Sequence, residues 1–381
     1  MYLSVADILL MTSILQSLVL AGFLLTPENS HLLSNRLLMA TVLAFAAGLA
    51  EVFFYSTGLA QRFLNLAYLG TLIGLLQAGL LFLYAKSLMY QDFRLTPGHW
   101  IHTLLFWIVG AIFLVGYYLQ PDELKRQILM ERDHPGILTS PLLAVAIHLV
   151  FLGYLIATIR EITAFGTGVM QIFSNIENKQ LAWLRALLLG YTAVWSISLV
   201  YCLSAHVFKS SASVWWVSIV GGVTGFLFIN YLLLHALRQP IVFSGLSAEE
   251  SRLLTSGKEM TTDQLANADL LMRLKDHMQR TSPYLDANLT VQQLSRQLNV
   301  PTRELSRAIN QGLGKNFFEF VSDYRIAEAR RRLTADTHQT ILQVMYDSGF
   351  NSKSVFNTAF KRATGMTPRE YRARQLAADG E

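Results

Sequence analysis

Apolar positions follow two different patterns along this chain. Through residue 238 they form long runs, and beyond that point they form stripes at helical spacing on otherwise polar segments. Seven runs, near 7–25, 37–58, 66–89, 101–119, 140–160, 184–206 and 214–236, each approach the ~20 helical residues needed to cross a hydrocarbon core. The fourth is the most interrupted, with Gly110 and Gly116. No Lys or Arg precedes the first run, so it reads as a span and not as a cleaved signal peptide. The stretch 120–139, with mixed charges and a Pro135-Gly136 break, reads as a solvated loop or the rim of a ligand entrance. The stretch 161–183 has two readings. It is an interfacial helix touching the C-terminal region, or an ordinary membrane-anchoring loop held by Trp183 and Arg185.

Pro240 ends the last run. The patterns Ser247–Glu250 and Thr261–Gln264 are capping boxes that predict helices over 248–256 and 262–280, the second with Leu265, Leu271, Leu274 and Met278 on one stripe. Thr290-Val291-Gln292-Gln293 opens another helix, with Val291, Leu294 and Leu298 inward, and Asn299 suits the left-handed turn that follows. A helix from 302 to 311 places Leu305 and Ile309 inward and leaves Arg303, Ser306, Arg307 and Asn310 outward. Asn316–Glu319 caps a longer helix to Leu333, with Phe317, Val321, Tyr324 and Ala329 as its apolar positions.

The same device then recurs. A helix carrying Ile341, Val344 and Met345 meets a turn at Gly349-Phe350, where glycine suits positive φ. The next helix has Phe356 and Phe360 four apart, with Lys353, Ser354, Asn357, Thr358, Lys361 and Arg362 between them. Gly365 stops it, and Thr367-Pro368-Arg369-Glu370 caps another helix. One stripe serves a core and the other suits phosphates and base edges, which is the layout of a helix-turn-helix.

Residues 268–374 resemble the DNA-binding domain of the AraC/XylS family of bacterial transcription activators. The resemblance rests on Ile341, Gly349-Phe350, Ser354, Phe356, Phe360-Lys361, Gly365, Pro368 and Tyr371-Arg372. Met345 and Pro301 depart from it, standing where the family usually has a small residue and a serine. It implies two helix-turn-helix units joined by a long helix, with double-stranded DNA and RNA polymerase as partners and no cofactor. The whole arrangement resembles the membrane-anchored AraC-type regulators of bacteria.

Composition supports the division. Hydrophobic residues make up 52% of the chain and charged residues only 15%, too apolar for a soluble protein. The basic excess is confined to one region: residues 268–374 carry 17 Lys/Arg against 10 Asp/Glu, as phosphate binding requires. The single cysteine, Cys202, excludes an intrachain disulfide and a cysteine-based zinc site.

The expected fold is all-α: a seven-helix transmembrane sensor over 1–238, a helical linker over 239–267, the AraC-type domain over 268–374 and a tail over 375–381. DNA is cytoplasmic, so the C-terminus is placed inside a bacterial inner membrane and, with seven spans, the N-terminus outside. The basic flanks agree weakly: Arg36, Lys86, Arg94, Arg160, Lys179, Arg185 and Arg238 fall inside, against Arg62, Lys125, Arg126, Arg132 and Lys209 outside.

Intramembrane polar groups are costly and so are candidates for a signal pocket. Glu51 and His148, with Gln77, would hold a small cationic or amphipathic signal. The plainer reading is helix–helix hydrogen bonding, which also suits Gln16 and Asn230. His99 and His102 have metal-ligand spacing but no third ligand nearby, and no phosphate loop, zinc-hydrolase motif or nucleophile–base set is present.

The expected function is a membrane-integral, sequence-specific transcription regulator, non-enzymatic and without a metal site, that couples an extracytoplasmic or membrane signal to gene expression. It would partner DNA, RNA polymerase, the bilayer, an unidentified signal and a second copy of itself. The alternatives are a transporter or membrane enzyme with a DNA-binding tail, and a tethered regulator that senses nothing.

Overall fold

The computed structural model describes residues 4–26, 32–130, 141–175, 182–206, 211–238, 264–335 and 338–378. The expected helix 248–256, the capping residues 247–250 and 261–263, and the flanks Arg132, Lys179 and Lys209 lie outside these residues. So do the side chains of Trp183, Arg238 and Leu265. The described residues are almost entirely helical and contain no strand beyond isolated bridge residues, Phe173 with Thr290 among them. They fall into two compact units, one of residues 1–162 and 181–242, the other of residues 163–180 and 243–381.

In the first unit α1 (Val5–Leu24) begins with Ser4 and Asp7 in a reciprocal cap. It packs on α2 (Leu33–Ser56). Short α3 (Leu59–Arg62) and α4 (Leu69–Gly74) follow, then α5 (Gln77–Met89). Residues 66–89 are therefore a broken helix, although Leu64–Met89 remains long and apolar enough to cross a bilayer. The approach of α4 to α2 is close because Gly70 has no side chain: a Cβ there would lie 2.2 Å from the Ala47 carbonyl oxygen.

A 3₁₀ turn over Pro97–Thr103 leads into α6 (Leu104–Phe113), which ends in a π turn at Leu114–Tyr118. The expected loop over 120–139 is in part a helix, α7 (Asp122–Met130). Its first turn carries Asp122 and Glu123, favourable at a helix N-terminus. Ile128 packs with Ala67 and Tyr117, and Lys125 reaches Asn65 Oδ1 at 2.9 Å.

Helix α8 (Pro141–Ile172) is the longest of the bundle and runs twelve residues past the expected end of its span, 160. Its Glu161 is paired with Lys86 at 3.3 Å. The pairing and a long apolar run let the helix continue through Arg160 and Glu161. Helices α9 (Ala182–His206) and α10 (Ser211–Arg238) complete the unit and pack on each other, with α10 also against α1.

Six stretches of the described residues are long and apolar enough to span a membrane. The seventh expected span falls on α10, where Val220–Leu234 is a shorter apolar stretch.

Beyond the end of α8, the second unit contains α11 (Gln264–Thr281), where Leu270, Leu274 and Met278 are buried. The expected stripe is present, but Leu271 is only half-buried and lies against Gly312. Then come α12 (Val291–Leu298), α13 (Thr302–Arg307), α14 (Phe317–Ala335), α15 (Ile341–Asp347), α16 (Lys353–Thr364) and α17 (Pro368–Ala378).

Candidate nucleic-acid interface

The first helix pair is set by its ends. The Thr290 hydroxyl accepts from the Gln293 N–H and Gln293 Oε1 accepts from the Thr290 N–H, closing the capping box of α12. Val291, Leu294 and Leu298 are buried, and Asn299 holds φ 52° between the helices. Pro301 stands at the start of α13 without a side-chain cap, and the Ser295 and Thr302 hydroxyls meet at 2.8 Å to fix the two helices together. The backbone of α13 widens into a π turn over Ala308–Gly312, so the expected helix to 311 is α-helical only as far as Arg307. With Leu305, Ala308 and Ile309 buried, Arg303 is exposed and Ser306, Arg307 and Asn310 are half-buried.

The second pair is built alike. Thr340 and Gln343 form the box of α15, and Val344 and Met345 are buried. Gly349 takes φ +85°, and a Cβ there would lie 2.3 Å from the Tyr284 carbonyl oxygen, so both backbone and space require glycine. Ser352, which the sequence pattern did not single out, caps α16 by accepting from the Val355 N–H. Phe356, Ala359 and Phe360 face the core, and the rings of Phe350, Phe356, Phe360 and Tyr371 meet one another in turn in tilted and edge-on contacts. Met345 belongs to this same cluster.

Opposite them Lys353, Ser354, Thr358, Lys361 and Arg362 are exposed and Asn357 is half-buried. Gly365 ends the helix at φ 76°, and the Thr367–Glu370 cap opens α17, which runs on to Ala378.

The linking helix α14 ties the two pairs. Asn316 Oδ1 accepts from the Glu319 N–H at 2.9 Å. Glu319 also pairs with Arg362 at 3.3 Å. Because exposed pairs of this kind are weak, about 0–1 kcal/mol, a phosphate can compete for Arg362. Glu328 accepts from Arg331 and Arg332, and Arg332 reaches on to Asp347 of α15 at 3.1 Å. Hydrogen bonding from Arg331 holds the Glu328 carboxyl down at about 2, burial opposing it and Arg332 assisting.

Position 325 is where the pattern misled. Tyr324 was expected inward and is half-buried, whereas Arg325 is fully buried. Its partners are backbone carbonyls and a serine far away in the chain, so nothing near it in sequence marks it.

The intramembrane candidates have separate partners. Glu51 accepts from the Thr71 backbone N–H and from its hydroxyl, the latter at 2.8 Å. His148 Nδ1 lies 2.8 Å from the Ala144 carbonyl oxygen, with the ring against Trp195. Gln77 donates to the Ala44 carbonyl at 3.1 Å and borders a cavity of about 20 Å³. Gln16 and Asn230 pair at 3.2 Å. His99 Nδ1 accepts from the Thr96 N–H, and His102 meets the Tyr154 hydroxyl at 2.8 Å. Among the described residues no group of three or more His, Cys, Asp or Glu is arranged to hold a metal ion.

Residues 294–374 match a family described as a helix-turn-helix domain. The transcriptional activator RhaS of Mannheimia succiniciproducens is 35% identical over 81 residues, 21% of this chain and 30% of that protein. The arabinose operon regulatory protein of Escherichia coli is 29% identical over 102 residues, 26% of this chain and 35% of its own. The C-terminal region is a helix-turn-helix domain of the AraC type.

An HTH-type transcriptional regulator of Staphylococcus aureus is 28% identical over 112 residues, 14% of its length. The chain thus spans about a third or less of the curated relatives it matches. The C-terminal domain of AraT, a response regulator from Geobacillus stearothermophilus, aligns at 28% identity over 27% of this chain and 84% of that chain, with a TM-score of 0.25.

Proposed function

We propose that this protein is a membrane-integral, sequence-specific DNA-binding transcription regulator. One observation carries the proposal: two capped helix pairs on one linking helix, inside an AraC-type domain, each turning a polar face outward. On this reading residues 268–374 bind DNA on the cytoplasmic side, 1–238 anchor the chain as seven spans and present the signal-receiving half, and 239–267 connect them.

The proposed base-reading residues are Arg303, Ser306, Arg307 and Asn310 in the first unit, and Lys353, Ser354, Asn357 and Thr358 in the second. Lys361 and Arg362 are assigned to phosphates. RNA polymerase and a second copy of the chain are the expected protein partners. The two recognition helices would enter successive major grooves about one turn, ~34 Å, apart.

The test is selection of duplexes from a randomised pool by the full chain in lipid nanodiscs, at two salt concentrations. Enrichment of a two-part site is expected. Binding that is equally tight on every duplex would sink the sequence-specific reading.

Glu51, His148 and Gln77 are the proposed contacts of a membrane signal. A second reading, a bundle that only anchors, is favoured by the finding that each of these groups already has a partner within its own unit. Replacing residues 1–162 and 181–238 by unrelated spans, with 163–180 kept because they belong to the C-terminal unit, separates the two, because a sensing bundle predicts loss of the signal response.

A further inference from the structure

Helix α8 is 32 residues long, whereas crossing a hydrocarbon core takes about 20. From Thr163 onward its residues belong to the same compact unit as the helix-turn-helix pairs. The segment after it is seated there by specific bonds. Phe173 forms an antiparallel bridge with Thr290. The Ser174 N–H donates to the Leu289 carbonyl at 3.2 Å, and its hydroxyl to the same oxygen at 2.6 Å.

Arg325 completes the seat. Its Nη1 donates to the Ser174 carbonyl at 2.8 Å and its Nη2 to the Ser174 hydroxyl at 2.9 Å. Two further bonds run to the Tyr284 carbonyl at 2.7 Å and the Asp286 carbonyl at 2.8 Å. Its guanidinium lies 5.7 Å from the Phe350 ring.

This is a fully buried cation whose hydrogen bonds go to carbonyls and one hydroxyl, half of them supplied by Ser174. Lifting Ser174 away would strand donors on a buried charge, a costly state, so the seat and the surroundings of Arg325 must change together. Those surroundings reach both helix pairs: Thr290 opens the first and Phe350 lies in the turn of the second. The outward residues of α13 and α16 take no part in these bonds, so the seat leaves the proposed reading faces open.

We infer that Phe173–Ser174, at the end of α8, is the input element of the DNA-binding unit: seated on Arg325 and Leu289–Thr290, it holds both helix-turn-helix units in the pose that reads two grooves at once. The inference rests on the DNA-binding reading above. It follows from the arithmetic of linked sites, in which a second contact gains only when its geometry is held to the span. A signal that moves α8 along its axis would act on this seat directly, in addition to any path through 239–267.

The test uses the full chain in nanodiscs, a selected two-part duplex, and shortened duplexes carrying either part alone. Ser174→Ala removes two side-chain hydrogen bonds and should weaken the two-part site about tenfold, the equivalent of one or two such bonds, with binding to either part unchanged. A second variant restores the seat covalently. Phe173→Cys with Thr290→Cys, in a Cys202→Ser and Ser174→Ala background, places thiols on a non-hydrogen-bonded antiparallel pair, where side chains are closest.

Oxidation should recover two-part binding, and reduction should lose it again. Equal losses on long and short duplexes would mean general destabilisation and overturn the inference. So would no loss at all, failure of the disulfide to form, or weaker binding on oxidation. A chain that selects no duplex overturns the DNA-binding reading first and this inference with it, whereas the outcomes above leave that reading standing.

Discussion

Arg325 and Lys361 are both cations of the C-terminal domain, yet one is sealed inside and the other is exposed. Local pattern alone separates such residues only when the stripe is clean. The caps at Thr290, Thr340 and Thr367 and the left-handed Asn299, Gly349 and Gly365 depend on neighbours within a few positions. Thr290, Asn299, Gly349, Gly365 and Thr367 were accordingly legible in the sequence. Arg325 was not, because Tyr284, Asp286 and Ser174 reach it only after folding.

For the exposed face the expectation is direct. Arg307→Ala should cost about 1–3 kcal/mol on the preferred duplex and relax preference at one position. Lys361→Ala should weaken all duplexes alike and reduce the salt slope by about 1. Fluorescence anisotropy on specific and scrambled duplexes at several salt concentrations reads both, and an unchanged preferred sequence in Arg307→Ala would displace the first recognition helix from its assigned place.

Glu328 adds a pH dependence. Its carboxyl is lowered to about 2 in the folded state from the usual value near 4.5, so its contribution is complete above 4.5 and fades as pH falls toward 2. Glu328→Gln should therefore lower the melting temperature of the C-terminal domain at pH 6, and the gap from the parent should close as pH falls through this window. Calorimetry on the full chain would show a constant gap if the arginine pairing were irrelevant.

Among the elements, helix boundaries were readable where a cap or breaker marks them and not where tertiary partners decide. Within the interrupted 66–89, the close approach of α4 to α2 depends on Gly70 meeting Ala47, and the extension of α8 past 160 accompanies the Lys86–Glu161 pair. The turn at Gly349 is the reverse case, because its residue type already announces positive φ. Gly349→Ala should cost at least about 1–2 kcal/mol from the left-handed backbone alone, with the Tyr284 contact adding to it. Helix α11 makes a comparable claim. Its Leu274 is fully buried and its Arg273 donates to the Leu298 carbonyl at 2.9 Å, so α11 is a structural part of the DNA-binding unit and not a free tether. Leu274→Ala should destabilise that unit by about 2–5 kcal/mol. Hydrogen exchange of α12 and α13 peptides would detect it as lost protection, and unchanged protection would return α11 to the status of a linker.

For the whole molecule, the grouping of 163–180 with the C-terminal domain constrains topology independently of charge. The flanking basic residues favour the assigned orientation by only seven to five, too narrow to decide it. The bonds from Ser174 to Leu289 and Arg325 are stronger grounds, since a membrane cannot lie between bonded partners. The end of α8 must then share a compartment with the helix-turn-helix units. Helices α9 and α10 make one return trip before the chain re-enters that unit, which requires both to cross or neither. The lengths of α9 and α10, 25 and 28 residues, suffice for crossing, even though Val220–Leu234 in α10 is a shorter apolar stretch. The expected outcome is that a fluorescent reporter after Glu381 and one inserted at 178 both report cytoplasm. Alkaline phosphatase inserted at 135 or 208 should be active, since those positions follow an odd number of crossings from the cytoplasmic side. Phosphatase activity at 178 would break the α8 seat and the topology together, while activity at 135 with silence at 208 would keep α8 as a span and lay α9 and α10 along one face.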